Sequence, residues 1–164
     1  MSTHATIQTA IAPFTAIVDD DGAVIAAGWT ADVDALLPVI HPALRPAEVV
    51  EGDIGPVADA IVRYHDGDLS AIDAVPVRQR SGPFLEHAWD VLRTVPAGAP
   101  VTYTEFAAKA GRPAAIRAAA SACAKNAVAL FVPCHRVLGT DGTMRGFRWG
   151  TDVKRALLAH EAQA

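Results

Sequence analysis

The chain has 164 residues, 51% of them hydrophobic and 20% charged, a composition that fits a soluble globular protein with a sizeable core. It holds no run of about 18 uncharged apolar residues and no basic patch with an apolar run at Met1–Thr6, so neither a membrane span nor a signal peptide is expected. The net charge of −4 is unevenly divided: residues 1–80 hold four Lys/Arg against twelve Asp/Glu, a net of −8, whereas 81–164 hold ten against six, a net of +4. An acidic half followed by a basic half suggests that only the second meets a polyanion.

In chain order, Ala5–Ile11, Phe14–Val18 and Ala23–Trp29 read as strands, with the run Asp19–Gly22 as a turn, so a small antiparallel sheet opens the chain. Helical spacing follows at about 31–38 and 55–66, the latter with Val57, Ile61 and Val62 on one face. A polar, proline-bearing passage from Asp66 to Pro83 looks like a connection, which divides the chain into an α/β domain at 1–80 and a mostly α domain at 81–164. Phe84, Leu85, Ala88, Trp89 and Leu92 then fall at helical spacing as core residues.

Thr102-Tyr103-Thr104-Glu105 has the form of a capping box, with Thr102 at the N-cap and Glu105 three residues on. The helix it opens stops at Gly111. Arg112-Pro113 makes a turn, and a second helix is expected over Ala114–Lys125. Helix, glycine turn and helix form a helix-turn-helix pattern. Seven alanines in the second helix permit close approach to another surface, and its only charges, Arg117 and Lys125, favour phosphates as part of that surface.

The apolar run Val128–Val132 reads as a short buried strand, and Pro133-Cys134-His135-Arg136-Val137 follows it. A cysteine at a strand end, beside a histidine and an arginine, is expected to rest as a low-pKa thiolate, held rigidly and ready to act as a nucleophile. The bland alternative is a buried, inert cysteine. Cys123 and Cys134 give no disulfide framework and no CxxC, which points to a reducing cytoplasm. Cys123 reads as a packing residue, and His4, His41, His65 and His87 as surface or capping groups. No cysteine precedes position 123.

From Gly82 to about Glu161 the chain resembles the O6-alkylguanine-DNA alkyltransferases. The matching residues are Val101-Thr102-Tyr103, Arg117-Ala118, Asn126, Pro133–Val137 and Leu157–Glu161. Ser121–Ala124 and Gly146–Gly150 look most like the C-terminal half of the bacterial adaptive-response members of that family. The resemblance implies an α/β N-terminal domain followed by a C-terminal domain with a winged helix-turn-helix. It also implies DNA repair by direct, stoichiometric transfer of an alkyl group from O6-alkylguanine, and from O4-alkylthymine, to Cys134, in a single turnover without cofactor or metal. The implied partner is double-stranded DNA carrying the lesion, met by a cytoplasmic, non-membrane monomer.

By the same resemblance, His135 would take the thiol proton through a water, Glu161 would orient His135, and Asn126 would belong to the catalytic group. Tyr103 would protonate guanine N3 as the base leaves. Arg117 would fill the vacated stack, with Lys125, Thr104 and Ala115 on DNA. Val137, Phe147, Arg148 and Trp149 would line the substrate pocket, and backbone acceptors at Cys134 and Val137 would read the guanine amine. Phe147 stands where the family usually has tyrosine, and the bulk of Arg148 and Trp149 is expected to restrict large adducts such as benzyl. The readings to be set against this one are a damage-binding protein without chemistry, a cysteine-sensing helix-turn-helix regulator and a cysteine hydrolase. Intact Cys134 argues against the first, and the lack of an effector domain in the chain against the second. The third needs an oxyanion hole that a sequence cannot show.

Overall fold

A computed structural model describes residues 1–144 and 146–163. By their internal contacts the residues form two compact units: Met1–Arg80 with Ala127–Phe131, and Ser81–Asn126 with Val132–Ala164.

The first unit is built on a mixed sheet of order β3-β2-β1-β4. Strands β1 (Ser2–Ile7), β2 (Phe14–Val18) and β3 (Val24–Gly28) pair antiparallel, with His4 opposite Ile17 and Ala16 opposite Ala27. Every residue of β2 and β3 is buried, and the one hydroxyl among them is satisfied: Thr15 Oγ1 donates to Thr30 O at 2.6 Å. The turn between them needs a residue with positive φ, and Gly22 provides it at 87°. Arg78 reaches back to this turn and pairs with Asp19 and Asp21. Helix α1 (Pro56–His65) buries Val57, Ala60, Ile61 and Tyr64. Phe14 packs edge-on to Trp29 at 4.8 Å and to Phe131 at 6.2 Å between ring centroids.

Four expectations change here. The first strand ends at Ile7, because the Thr9 hydroxyl accepts from the Ile11 and Ala12 amides and closes a local turn before Pro13. No α-helix forms over 31–38. Two 3-10 turns, Val33–Ala35 and Leu37–Val39, take its place, since the Asp32 carboxylate captures the Asp34 amide and Pro38 has no N–H to continue a ladder. A short strand β4 (Val49–Glu51) joins the sheet parallel to β1, where the sequence carries no strand signal of useful length. Val128–Val132 is buried but is not a strand. Ala127 and Ala129 bond to Ala27 at 2.9 and 3.3 Å, and the chain then turns through Leu130 at φ 76°.

The second unit is mainly helical. Helix α2 (Pro83–Leu92) buries Ala88, Trp89 and Leu92. A two-residue strand β5 (Val101–Thr102) leads into α3 (Tyr103–Lys109), and the capping box forms as read: Thr102 Oγ1 accepts from the Glu105 amide at 3.1 Å and the Glu105 carboxylate accepts from the Thr102 amide at 3.0 Å. Gly111, at φ 88°, turns the chain toward α4 (Ile116–Ala124), which starts two residues later than expected, after the Arg112–Ala115 turn. Strand β6 (Val137–Leu138) pairs parallel to β5, a tight turn follows at Gly139–Gly142, and α5 (Thr151–Ala162) ends the fold. Among the described residues, no helix is long and apolar enough to cross a membrane.

Candidate active site

Cys134 opens a one-turn 3-10 helix, Cys134–Arg136, and so does not sit at a strand end. Two hydrogen bonds to one carbonyl fix its backbone. The Cys134 amide donates to Val132 O at 2.8 Å, and the Asn126 side-chain amide donates to the same oxygen at 2.7 Å. Asn126 thereby ties the segment after α4 to the residue two before the cysteine.

The next two side chains share one carboxylate. His135 Nε2 lies 2.8 Å from Glu161 Oε2. Arg136 donates from Nε to Oε1 and from Nη2 to Oε2, both at 2.9 Å, and from Nη1 to Val95 O at 2.8 Å. All three residues are at most 4% exposed. Burial would raise the Glu161 carboxyl, but the bonds from His135 and Arg136 outweigh it and hold the group far below the usual carboxylate range. An ionised carboxylate only accepts, so the proton on His135 belongs on Nε2. That leaves Nδ1 as a lone pair, buried and without a hydrogen-bond partner among the described residues. Burial lowers the His135 pKa against the pull of Glu161, so the ring is neutral near pH 7. A neutral imidazole with an unused basic nitrogen is what a general base requires.

The expected resting thiolate is not what the surroundings of Cys134 favour. Cys134 is 7% exposed, and burial pushes its thiol up, while the Asn126 side chain and the Lys154 and Arg148 charges pull the other way. The flanking cations in the sequence do not supply the missing field: His135 is neutral and Arg136 is engaged by Glu161. The thiol therefore needs a base at the moment it reacts.

Sequence reasoning missed Lys154. It is 1% exposed, and its ammonium donates to Val137 O at 2.7 Å. Burial lowers its pKa, and the two thiols, Cys134 and Cys123, pull it back up. The available signal was spacing: Lys154, Leu157 and Glu161 fall on one face of α5, and all three are buried. A lysine on the buried stripe of a helix is unusual enough to flag.

The remaining predicted residues are placed as follows. Tyr103 is the first residue of α3 and is half-buried, and the hydroxyl of Thr104 lies 3.0 Å from that of Thr140. Ala115 is the N-cap of α4, Arg117 is exposed in its first turn, and Lys125 is exposed at its C-cap. Val137 is fully buried; its carbonyl already accepts from Lys154, and the Cys134 carbonyl accepts from the Val137 amide, which leaves each one further lone pair. Phe147 and Trp149 are half-buried, and Arg148 is exposed with Nη2 2.6 Å from Ala124 O. Asn126 and the Cys134 amide thus meet at Val132 O, His135 and Arg136 meet at Glu161, Lys154 bonds to Val137 O, and the run Cys134–Val137 links the three groups. Among the described residues no group of His, Cys, Asp and Glu is arranged to hold a metal ion, and both cysteines are free thiols.

Fold and site together define a protein with a buried cysteine followed in the chain by a histidine paired to a buried carboxylate, and with a helix-turn-helix in the same unit. Residues 83–163 match the family model described as 6-O-methylguanine DNA methyltransferase, DNA binding domain. The chain is 34% identical over 158 residues to the methylated-DNA–protein-cysteine methyltransferase of Shigella flexneri, covering 94% of this chain and 92% of the relative. It is 46% identical over 89 residues to the bifunctional transcriptional activator/DNA repair enzyme Ada of Escherichia coli K12, covering 54% of this chain and 25% of that protein. Among solved structures it is similar to the O6-methylguanine methyltransferase of Mycobacterium tuberculosis, with a TM-score of 0.80, 28% identity and coverage of 99% and 94% of the two chains. The M. tuberculosis protein solved in complex with DNA gives a TM-score of 0.76 at 25% identity, over 98% and 93% of the chains. The chain belongs to the methylated-DNA–protein-cysteine methyltransferase family.

Proposed function

We propose that the chain repairs O6-alkylguanine in double-stranded DNA, and O4-alkylthymine with it, by moving the alkyl group irreversibly onto Cys134. The thiol proton passes through a water to His135 Nδ1. The sulfur then attacks the alkyl carbon, the S–C bond forms as the C–O6 bond breaks, and the bonding electrons stay with guanine. Tyr103 gives N3 a proton, so the departing group is neutral guanine rather than its anion, a far better leaving group. The products are an S-alkylcysteine and a repaired base, and no cofactor or metal enters the balance.

The observation that carries this reading is a buried, neutral His135 whose Nε2 is held by Glu161 and whose Nδ1 has no partner among the described residues. Lys154 stabilises the thiolate as it forms, and Asn126 fixes the backbone that carries it. The target atom lies within the duplex, so the base is flipped out, with Arg117 filling the gap at the exposed tip of α4 and Thr104, Ala115 and Lys125 on the phosphates. Names of relatives and the DNA complex of the M. tuberculosis protein support the same substrate. The protein acts once per molecule, as a monomer in the cytoplasm.

The test is intact mass after mixing with a duplex containing O6-methylguanine. One added methyl, mapped to Cys134, is expected; Cys134→Ala should bind the duplex and gain nothing. Methyl transfer by the alanine variant would remove Cys134 from its role.

A further inference from the structure

Helix α3 ends in a Schellman motif, and the motif fixes the backbone of Arg112. Gly111 takes the left-handed turn at φ 88° and donates to Ala108 O at 3.0 Å, and the Arg112 amide donates to Ala107 O at 3.0 Å. The Arg112 carbonyl in turn accepts from the amide of Ala115, the N-cap of α4, at 2.8 Å. Pro113 narrows the conformation of the residue before it further. Both main-chain groups of Arg112 are thus engaged.

The side chain is held as well. Its guanidinium carbon lies 5.2 Å from the centre of the Phe84 ring, in the first turn of α2. Phe84 is half-buried and Arg112 is exposed. Arg63, Arg78 and Arg155 are each matched to aspartates, whereas Arg112 is matched to a ring and makes no ion pair among the described residues. A ring positions a guanidinium without neutralising it, so the full charge is presented to solvent. Ordering a long side chain costs rotamer entropy, and here the fold has met that cost before any ligand arrives. The charge around it has one sign: residues 106–126 hold Lys109, Arg112, Arg117 and Lys125 and no Asp or Glu.

We propose that Arg112 is a preset phosphate contact: stacked on Phe84 at the turn between α3 and α4, it takes a phosphodiester of the DNA that α4 approaches. This rests on the DNA-repair reading above and adds to it a contact that lies in neither helix. A phosphate carries no sequence information, so Arg112 contributes equally on damaged and undamaged duplex and has no part in the transfer step.

The test is duplex binding as a function of salt for the wild type, Arg112→Gln, Arg112→Lys and Phe84→Leu, on one duplex with O6-methylguanine and the same duplex with guanine. Each phosphate contact contributes about 0.9 to the slope of log affinity against log salt concentration. Arg112→Gln is expected to lower that slope by about one and to weaken both duplexes by the same factor. Arg112→Lys keeps the charge and should keep the slope. Phe84→Leu leaves the charge but releases it, so the slope should hold while affinity falls about threefold, the scale of an exposed cation–π contact. A slope unchanged in Arg112→Gln overturns the phosphate contact, whatever happens to melting temperature, and leaves the stack a joint between α2 and the turn. Affinity unchanged in Phe84→Leu overturns the preset ring contact. Methyl transfer from the methylated duplex by the wild type separates the two readings: where it proceeds, either result strikes Arg112 alone, and its absence would sink both.

Discussion

At the residue scale the chemistry turns on how a buried thiol is made to ionise. Burial raises the Cys134 pKa above its ordinary value of about 8.5, so at neutral pH the thiolate fraction is small and grows as pH rises. Alkylation of Cys134 by iodoacetamide, followed by peptide mass, should therefore keep accelerating above pH 8.5 rather than level off near neutrality. Lys154→Met removes the cation that opposes this shift. Its profile should move further to alkaline pH, and its transfer from methylated duplex should slow by about tenfold, equal to one unit of thiol pKa. A wild-type profile flat above pH 7 would mean a resting thiolate and no need for His135.

Glu161 matters for a different reason. It is the common acceptor for His135 and Arg136, so Glu161→Gln leaves a guanidinium buried without its counter-charge and frees the imidazole to adopt the wrong tautomer. Breaking a buried pair by removing one partner costs about 3–5 kcal/mol, and losing an oriented base costs about 10²-fold or more in rate. Thermal or urea unfolding and single-turnover transfer should both fall. Loss of stability with unchanged transfer would make the carboxylate purely structural.

At the scale of elements, α3 and α4 carry the residues proposed to meet DNA, Tyr103, Thr104, Ala115, Arg117 and Lys125. The capping box sets the start of α3 and so the position of Tyr103, while α4 leaves Arg117 at an exposed tip. Flipping a base costs a few kcal/mol, part of which an inserted arginine offsets. Arg117→Ala should slow transfer from duplex by about tenfold to a hundredfold while the reaction with free O6-methylguanine base changes by less than about twofold. Tyr103→Phe, which removes only the proposed acid, should slow both. Equal losses on both substrates for Arg117→Ala would move that residue from the DNA to the pocket or the fold.

These helices were legible because their signals are local: a cap three residues from its partner, a glycine at a turn, apolar residues on one face. Strand β2 and helix α1 were legible for the same reason. The misread segments are those where a longer-range or backbone effect decides. Val128–Val132 has the composition of a strand, yet it forms only an isolated bridge to Ala27 among the described residues, far away in sequence, and Leu130 turns the chain away. Strand β4 exists because β1 offers it an edge. In the site, the pairing of His135 with Glu161 was legible through the family pattern, but the charge state of the thiol was not, because burial and the capture of Arg136 by Glu161 decide it and the pentapeptide shows neither.

For the whole molecule, the charge division and the chemistry lead to one consequence that a purified sample can decide. The acidic residues crowd the first eighty positions and the basic ones the rest, so electrostatic attraction to DNA is confined to the part of the chain that also holds Cys134. Once the sulfur is alkylated it is a thioether. The groups around it, a neutral imidazole, a carboxylate bound to Arg136 and a lysine on a carbonyl, offer no route by which water would cleave an S–C bond. Product should therefore rise to one alkyl group per protein molecule and stop, however large the excess of alkylated duplex. A titration of repaired base against protein concentration, read at long times, should give a slope of about one. Continued product formation past equivalence would show that the thioether is resolved, and the chain would then be a turnover catalyst with a second half-reaction still to be found.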